Sequence, residues 1–370
     1  MKSSARRYLE FVALCLLAAA IVWWFGRKLN WGEVRDSLGK ANWALLAAAA
    51  VIISSTYLAR AFRWGAFLRP LGPAKLNDLF VATTVGFGVQ FLVGRLGEVV
   101  RPVVLPMRDP RVRPSASFVT ILIERIYDMI TVVLLFAINL LWFKPTANLA
   151  GEFGRVRIVG IVLLLACTCG VFFLAWFRRR SADFIEYLSR GLNRLHFLPA
   201  RLTRGVISLL EQLASALRVL VNARELLVTI SWTAAVWIVV VAANLLVLRA
   251  FGLPFGITQT LFVLGWSLVG SLVPTPGGAA GAFHAATAAG LIFLGVARET
   301  AAGVAIILHL VDFGPAVIFG LFFVIRGDVS LSRLRALTTP EAVEHAVEDE
   351  SILADEAPGE LQVVSASDRI

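Results

Sequence analysis

The sequence predicts an all-α, polytopic transmembrane helix bundle, and three observations carry that prediction. Its 370 residues are 58% hydrophobic and only 16% charged, with a mean hydropathy of +0.78, against about 45–50% apolar and about 25% charged in soluble domains. Six stretches are apolar for long enough to cross about 30 Å of hydrocarbon, which takes roughly 20 helical residues. Arginine and lysine gather between these stretches, as short cytoplasmic loops of a membrane protein require.

The first stretch, Tyr8 to Gly26, follows Arg6 and Arg7 and ends in Val22-Trp23-Trp24-Phe25 without a small-residue cleavage site. It reads as an uncleaved span rather than a signal peptide. The others are Trp43 to Ala61, Phe118 to Phe143, Ile158 to Phe177, Leu226 to Leu248 and Ala301 to Ile325. Two more apolar regions, Leu79 to Leu105 and Ile257 to Leu294, are interrupted by Gly and Pro and do not look like ordinary spans.

Charge orients the chain. Lys2, Arg6 and Arg7 place the N-terminus in the cytoplasm, and two spans later Arg60, Arg63, Arg69 and Lys75 return there. Arg95, Arg101, Arg108, Arg111 and Arg113 follow the first interrupted region and also belong inside, so that region reads as a hairpin that dips in and returns. With Ile257 to Leu294 as a second hairpin from the opposite side, every arginine cluster and both termini are cytoplasmic. Antiparallel pairs of broken helices occur in transporters built from inverted repeats. Sequence similarity between the halves is faint, chiefly Leu79-Phe80 against Leu261-Phe262 ahead of Gly-rich turns, and an eight-span arrangement is the alternative.

The membrane part is residues 1–326. Within it, 178–225 is an arginine-rich cytoplasmic segment whose Leu202, Val206, Leu209, Leu213, Leu217 and Leu220 recur at helical spacing, as in a helix lying on the bilayer surface. Residues 327–370 form an acidic tail, poor in aromatics and expected to be disordered. The net charge of +10 lies in loop clusters without interleaved aromatics, which suits lipid headgroups and excludes nucleic acid as a partner. Cys15, Cys167 and Cys169 lie in apolar runs and suggest neither disulfides nor a metal cluster.

Charges inside a span are costly and mark function or pairing, and three groups stand out. Gly94-Arg95-Leu96-Gly97-Glu98-Val99-Val100-Arg101 sits at the break of the first hairpin, where Glu98 and Arg101 share a helix face and Arg95 and Arg101 suit a lipid phosphate. Glu124-Arg125-Ile126-Tyr127-Asp128 follows; its two carboxylates share a face and need a cation, from Arg95, Arg101 or Arg125. Pro274-Thr275-Pro276-Gly277-Gly278 breaks the second hairpin ahead of His284, with His309 and Asp312 on one face of the next span. The histidines and Asp312 suit a proton relay or a headgroup contact. No tight His or Cys spacing supports a zinc site.

Together, Gly94-x-x-Gly97-Glu98-x-x-Arg101, Glu124-Arg125-x-x-Asp128 and Pro274-x-Pro276-Gly277-Gly278 resemble the lysylphosphatidylglycerol synthase transmembrane-region family, flippase-like membrane proteins, over roughly Tyr8 to Arg326. The resemblance implies handling of polar lipids across the cell membrane, beside a separate lipid-synthesising enzyme, since only the acidic tail follows Arg326. In many relatives an acidic residue lies near the His284 position and a basic one near that of His309, so here two histidines stand for a charge pair.

The expected substrate contacts are therefore Arg95, Glu98, Arg101, Glu124, Arg125, Asp128, Pro276, Gly277, Gly278, His284, His309 and Asp312. No nucleotide-binding loop, metal motif or nucleophile elbow appears, so neither a cofactor nor a catalytic residue is expected. The leading function is a translocase of polar lipids or lipid-linked intermediates. Its rivals are an intramembrane lipid-modifying enzyme, or a subunit of a lipid or glycan biosynthesis complex, with His284 or Glu98 as acid or base, and a non-transporting accessory protein.

Overall fold

In a computed structural model of the chain, the residues described are 20–21, 23, 26–27, 29–69, 72, 74–93, 96–142, 150–194, 223–273, 277 and 279–329. Most of the first expected span, the surface-helix leucines 202–220 and the acidic tail lie outside them. The described helices are α1 (Trp31–Lys40), α2 (Trp43–Leu68), α3 (Leu76–Val93), α4 (Leu96–Arg108), α5 (Pro114–Trp142), α6 (Ala150–Arg194), α7 (Ala223–Ala250), α8 (Ile257–Ser271), α9 (Ala280–Phe293) and α10 (Arg298–Ile325). The all-helical bundle is as expected.

Local chemistry sets the boundaries. The Asn42 side chain accepts from the backbone N–H groups of Ala44 and Leu45 and so starts α2, satisfying donors that have no partner inside the helix. Pro114 opens α5, where its missing N–H costs nothing. Among the described residues, α2, α7 and α10 are long and apolar enough to cross a membrane. Helix α5 has 29 residues but carries Glu124, Arg125 and Asp128 in its first half.

Two expectations about boundaries are corrected. Helix α2 does not stop at Ala61 but continues to Leu68, because Ala61, Trp64, Phe67 and Leu68 all find buried positions. Arg60 and Arg63 are thus inside a span and not in a loop. Helix α6 likewise passes through Arg178, bends at Arg180 (φ −126°, ψ 27°) and runs on to Arg194.

Both interrupted regions are pairs of short helices, α3–α4 and α8–α9. At about 1.5 Å per residue each helix is about 20–27 Å long, less than the roughly 30 Å of a hydrocarbon core. Residues 94–95 and 274–276, where the breaks were expected, lie outside the described residues. At the second break Gly277 (φ 74°) and Ala279 (φ 61°) take left-handed conformations. For Ala279 this is a strained state costing about 1–3 kcal/mol, held only where surrounding structure imposes it.

The helices fall into two sets of four with matching contacts. Helix α2 runs antiparallel to α7, since Asn42 N–H donates to the Ala250 carbonyl at one end while Phe62 stacks on Trp232, ring centres 5.0 Å apart, further along. Helix α3 packs on α4 and on α10; α8 packs on α9 and on α5. Each hairpin therefore touches the long helix that follows the other hairpin. Close approach replaces hydrophobic drive, which is absent between helices in lipid. A Cβ on Gly86 of α3 would lie 2.0 Å from Arg101 Cγ of α4, and one on Gly270 of α8 would lie 2.6 Å from the Ala282 carbonyl of α9. Outside the bundle, Val51, Leu58, Ile238, Ile318 and Phe322 are exposed, as a lipid-facing surface would be.

Candidate functional site

The polar residues of the spans converge where the two sets of helices meet. In the first set, α2 supplies Arg63 and α4 supplies Arg101, and both reach the carboxylates of α5. Arg63 Nη1 and Nη2 donate to Asp128 Oδ1 and Oδ2 at 2.6 and 3.1 Å, and its Nη2 lies 2.9 Å from Glu124 Oε1. Arg101 Nη1 and Nη2 donate to Glu124 Oε1 and Oε2 at 2.8 and 3.2 Å. These are fork-to-carboxylate pairs, the strongest geometry available to arginine. Arg63 and Glu124 are completely buried and Arg101 is 1% exposed.

Aromatic rings complete the frame. The Arg101 guanidinium lies 4.7 Å from the Trp64 ring centre and 5.1 Å from that of Phe87, and Trp64 Nε1 donates to Thr120 Oγ1 at 3.0 Å. Gly86, by lacking a side chain, leaves the space through which Arg101 passes. Of the cations considered from the sequence, Arg101 is found on Glu124; Glu98, offered as its partner, is half-buried elsewhere on α4. Arg63 was missed altogether because it reads as a topology signal. The usable clue was the apolar run Trp64 to Leu68 beyond it, which extends the span.

In the second set the corresponding place is occupied by His284 of α9 and His309 and Asp312 of α10. The two imidazoles meet edge to face, centres 4.9 Å apart. Phe91, Phe283 and Phe313 surround His309 at 5.2, 4.8 and 5.2 Å, and His309 is buried. Asp312 accepts from Asn244 Nδ2 of α7 at 3.1 Å. Thus His284 meets His309 as the sequence suggested, while Asp312 is held by Asn244, a residue that sequence reasoning passed over as one more polar residue in an apolar run.

Among the contacts that join the halves, two are related. Tyr57 of α2 donates its hydroxyl to the Asp312 carbonyl at 2.9 Å; Trp237 of α7 donates Nε1 to Asp128 Oδ1 at 3.3 Å. Each aromatic donor sits on a crossing helix and reaches the aspartate of the other half's long helix. Tyr57 and Trp237, Asp128 and Asp312, and Gly86 and Gly270 are spaced almost equally along the chain, as matching positions of a repeat would be. Among the described residues, no group of three or more His, Cys, Asp or Glu is placed to hold a metal ion. Arg95, Pro276 and Gly278 lie outside the described residues.

At one end of the bundle a second polar cluster fixes the first hairpin. Arg108 Nε donates to Asp78 Oδ1 at 2.9 Å, joining the outer ends of α3 and α4. Beyond α4, Asp109 accepts from Arg111 Nε and Nη2 at 2.8 and 2.7 Å, and these bonds pull its carboxyl down to about 2.

Residues 11–320 match the family described as Lysylphosphatidylglycerol synthase TM region. The chain is also 25% identical over 334 residues to a Haloferax volcanii protein named Glycosyltransferase AglD, the match covering 81% of this chain and 51% of that protein. It therefore spans about half the length of the curated relative it matches.

Proposed function

Since the chain belongs to the lysylphosphatidylglycerol synthase TM-region family, as its motifs imply, we propose that it carries polar lipids or lipid-linked intermediates from one leaflet of the cell membrane to the other. The observation that supports this most is that both broken-helix hairpins pack on α10, where Phe91 of the first and His284 of the second meet His309, with buried charged pairs in the first half. Non-helical backbone and ionisable groups at membrane depth are tolerated where protein or a wet path satisfies them, and transporters place their sites at such junctions of repeats.

In this reading both termini face the cytoplasm. Arg95, Glu98 and Arg125 contact the headgroup from the first half, where Arg101, Glu124 and Asp128 hold the helices around it, and Pro276, Gly277, Gly278, His284, His309 and Asp312 contact it from the second. A separate enzyme makes the lipid. The test is movement of headgroup-labelled lipids in proteoliposomes, with anionic, aminoacylated and isoprenoid-linked classes tried in turn. Movement of one class, lost in Arg101→Ala protein that still elutes as a folded species, supports the proposal; no movement of any class sinks it.

A second reading is favoured by the name of the Haloferax volcanii relative: the chain works as a subunit of a lipid or glycan biosynthesis complex, or modifies lipids itself. Turnover of a lipid-linked sugar donor by the isolated chain would decide for it.

A further inference from the structure

The buried charged centre carries more cations than it can pair. Arg63 and Arg101 commit their terminal nitrogens to Glu124 and Asp128, yet the Nε of each is buried without a hydrogen-bond partner, as are Nε and Nη2 of Arg125. Arg60 adds a further guanidinium. Among the described residues it makes no ion pair or hydrogen bond, and its guanidinium lies 4.9 Å from the centre of Phe87, the same ring that Arg101 approaches. The third carboxylate of the region, Asp312, is bound to Asn244.

An unpaired guanidinium inside a membrane span is costly, and buried donors without acceptors add to that cost. Four guanidinium groups, those of Arg60, Arg63, Arg101 and Arg125, stand against Glu124 and Asp128, with Asp312 on the far side. What the site lacks is an anion. Arg60 is placed to receive one, for three reasons. It is only partly buried, unlike Arg63 and Arg101. It sits one turn from both Tyr57 and Arg63 on the helix that crosses between the two halves. Its guanidinium also approaches the Phe87 ring that Arg101 approaches, which places it next to the charged frame.

The geometry points to Arg60 as the residue that receives the phosphate group of a lipid inside the membrane, with the Arg101–Glu124–Arg63–Asp128 chain as the rigid frame that holds α2 in place. A guanidinium binds phosphate through two parallel hydrogen bonds, and the partial exposure of Arg60 admits a headgroup that the sealed frame does not. This assigns the phosphate to Arg60 and not to Arg101, whose terminal nitrogens are already taken. The assignment rests on the translocase reading for its lipid, but binding is measured separately from movement.

Full-length protein in detergent is equilibrated with equal amounts of phosphatidylglycerol and a galactosyl diacylglycerol, which has no phosphate, and the lipid retained is read by native mass spectrometry. Wild type retains phosphatidylglycerol in preference. Arg60→Gln loses that preference by about tenfold, Arg60→Lys keeps part of it, and Arg190→Gln, on an exposed helix face, keeps all of it. Equal retention of both lipids by wild type, or an unchanged preference in Arg60→Gln, overturns the assignment. Inorganic phosphate and chloride are the further arms. Displacement of phosphatidylglycerol by phosphate and not by chloride supports a phosphate-shaped site, whereas Arg60-dependent binding of inorganic phosphate without any lipid preference assigns the site to a solute and overturns the lipid. Lipid preference lost in Arg60→Gln but present in wild type that moves no lipid keeps the site and removes the translocase; movement unaffected by a lost Arg60 does the reverse.

Discussion

Where the first half sets Glu124 and Asp128 against Arg63 and Arg101, the second half, on matching helices, sets His309 and Asp312 against His284 and Asn244. The skeleton is common to both: a long helix, a broken hairpin, a second long helix, and an aromatic donor reaching across to the other half's aspartate. The difference is in how much charge each half locks up. Two-pronged ion pairs in a dry interior hold their helices in one arrangement, because separating them leaves bare charges in low dielectric. Neutral donors and imidazoles leave a smaller penalty when they part. The first half is therefore built as a frame, and the second as the half whose contacts can be exchanged.

The largest expected effect breaks the frame. Arg63→Ala leaves Glu124 and Asp128 without their shared cation, and should cost about 3–5 kcal/mol, read as a collapse of the thermal unfolding midpoint of the detergent-solubilised protein. Adding Asp128→Asn to that variant should restore part of the loss, since Glu124 keeps Arg101 as its cation and Asp128 is no longer a bare charge. If Arg63→Ala unfolds like the wild type, the frame is not what holds the first half.

Next come the two glycines at matching positions. Gly86→Ala and Gly270→Ala should each destabilise by about 1–3 kcal/mol through overpacking. The Gly270 change should fall at the upper end because its neighbour is a backbone carbonyl that cannot swing away, while Gly86→Ala displaces the Arg101 side chain. Equal tolerance of alanine at both would separate the hairpins from the repeat.

A smaller effect sharpens the comparison directly. Asp312→Asn keeps an oxygen able to accept from Asn244 and should cost no more than about 0.5–1.5 kcal/mol, less than Asp128→Asn, which removes a carboxylate from two-pronged pairing with Arg63. Thermal unfolding of the two single variants side by side gives the order; a reversed order would make the second half the more tightly locked.

The smallest effect lies outside the membrane. Asp109 is held at about 2 by Arg111, below the roughly 3.9 of an unfolded aspartate. Its contribution is thus present above about pH 4 and lost as pH falls through about 2. Asp109→Asn should lower the unfolding midpoint at pH 5 and converge with the wild type toward pH 2, and a gap that stays constant with pH would contradict this.

Much of this architecture was legible in the sequence. Hydropathy gave the long helices, and glycine and proline marked both hairpins, because a bilayer leaves no other way to satisfy backbone groups. The meeting of His284 and His309 was legible because an ionisable residue in an apolar run is conspicuous. Arg63 was not, since an arginine near the end of a span looks the same whether it snorkels to the surface or turns inward. The repeat was only faintly legible, in Leu79-Phe80 against Leu261-Phe262 ahead of Gly-rich turns: apolar helices resemble one another whatever they pack against, and the contacts of Tyr57 with Asp312 and of Trp237 with Asp128 add to that correspondence.

The central claim, that both halves enclose one path for a polar lipid, is tested most directly by transbilayer movement of headgroup-labelled phosphatidylglycerol in proteoliposomes containing wild type, Glu124→Gln or His284→Ala. Movement is expected with the wild type and is lost in both folded variants, although each alters only one half. Movement that survives both substitutions, or a wild type that moves no label, would contradict it.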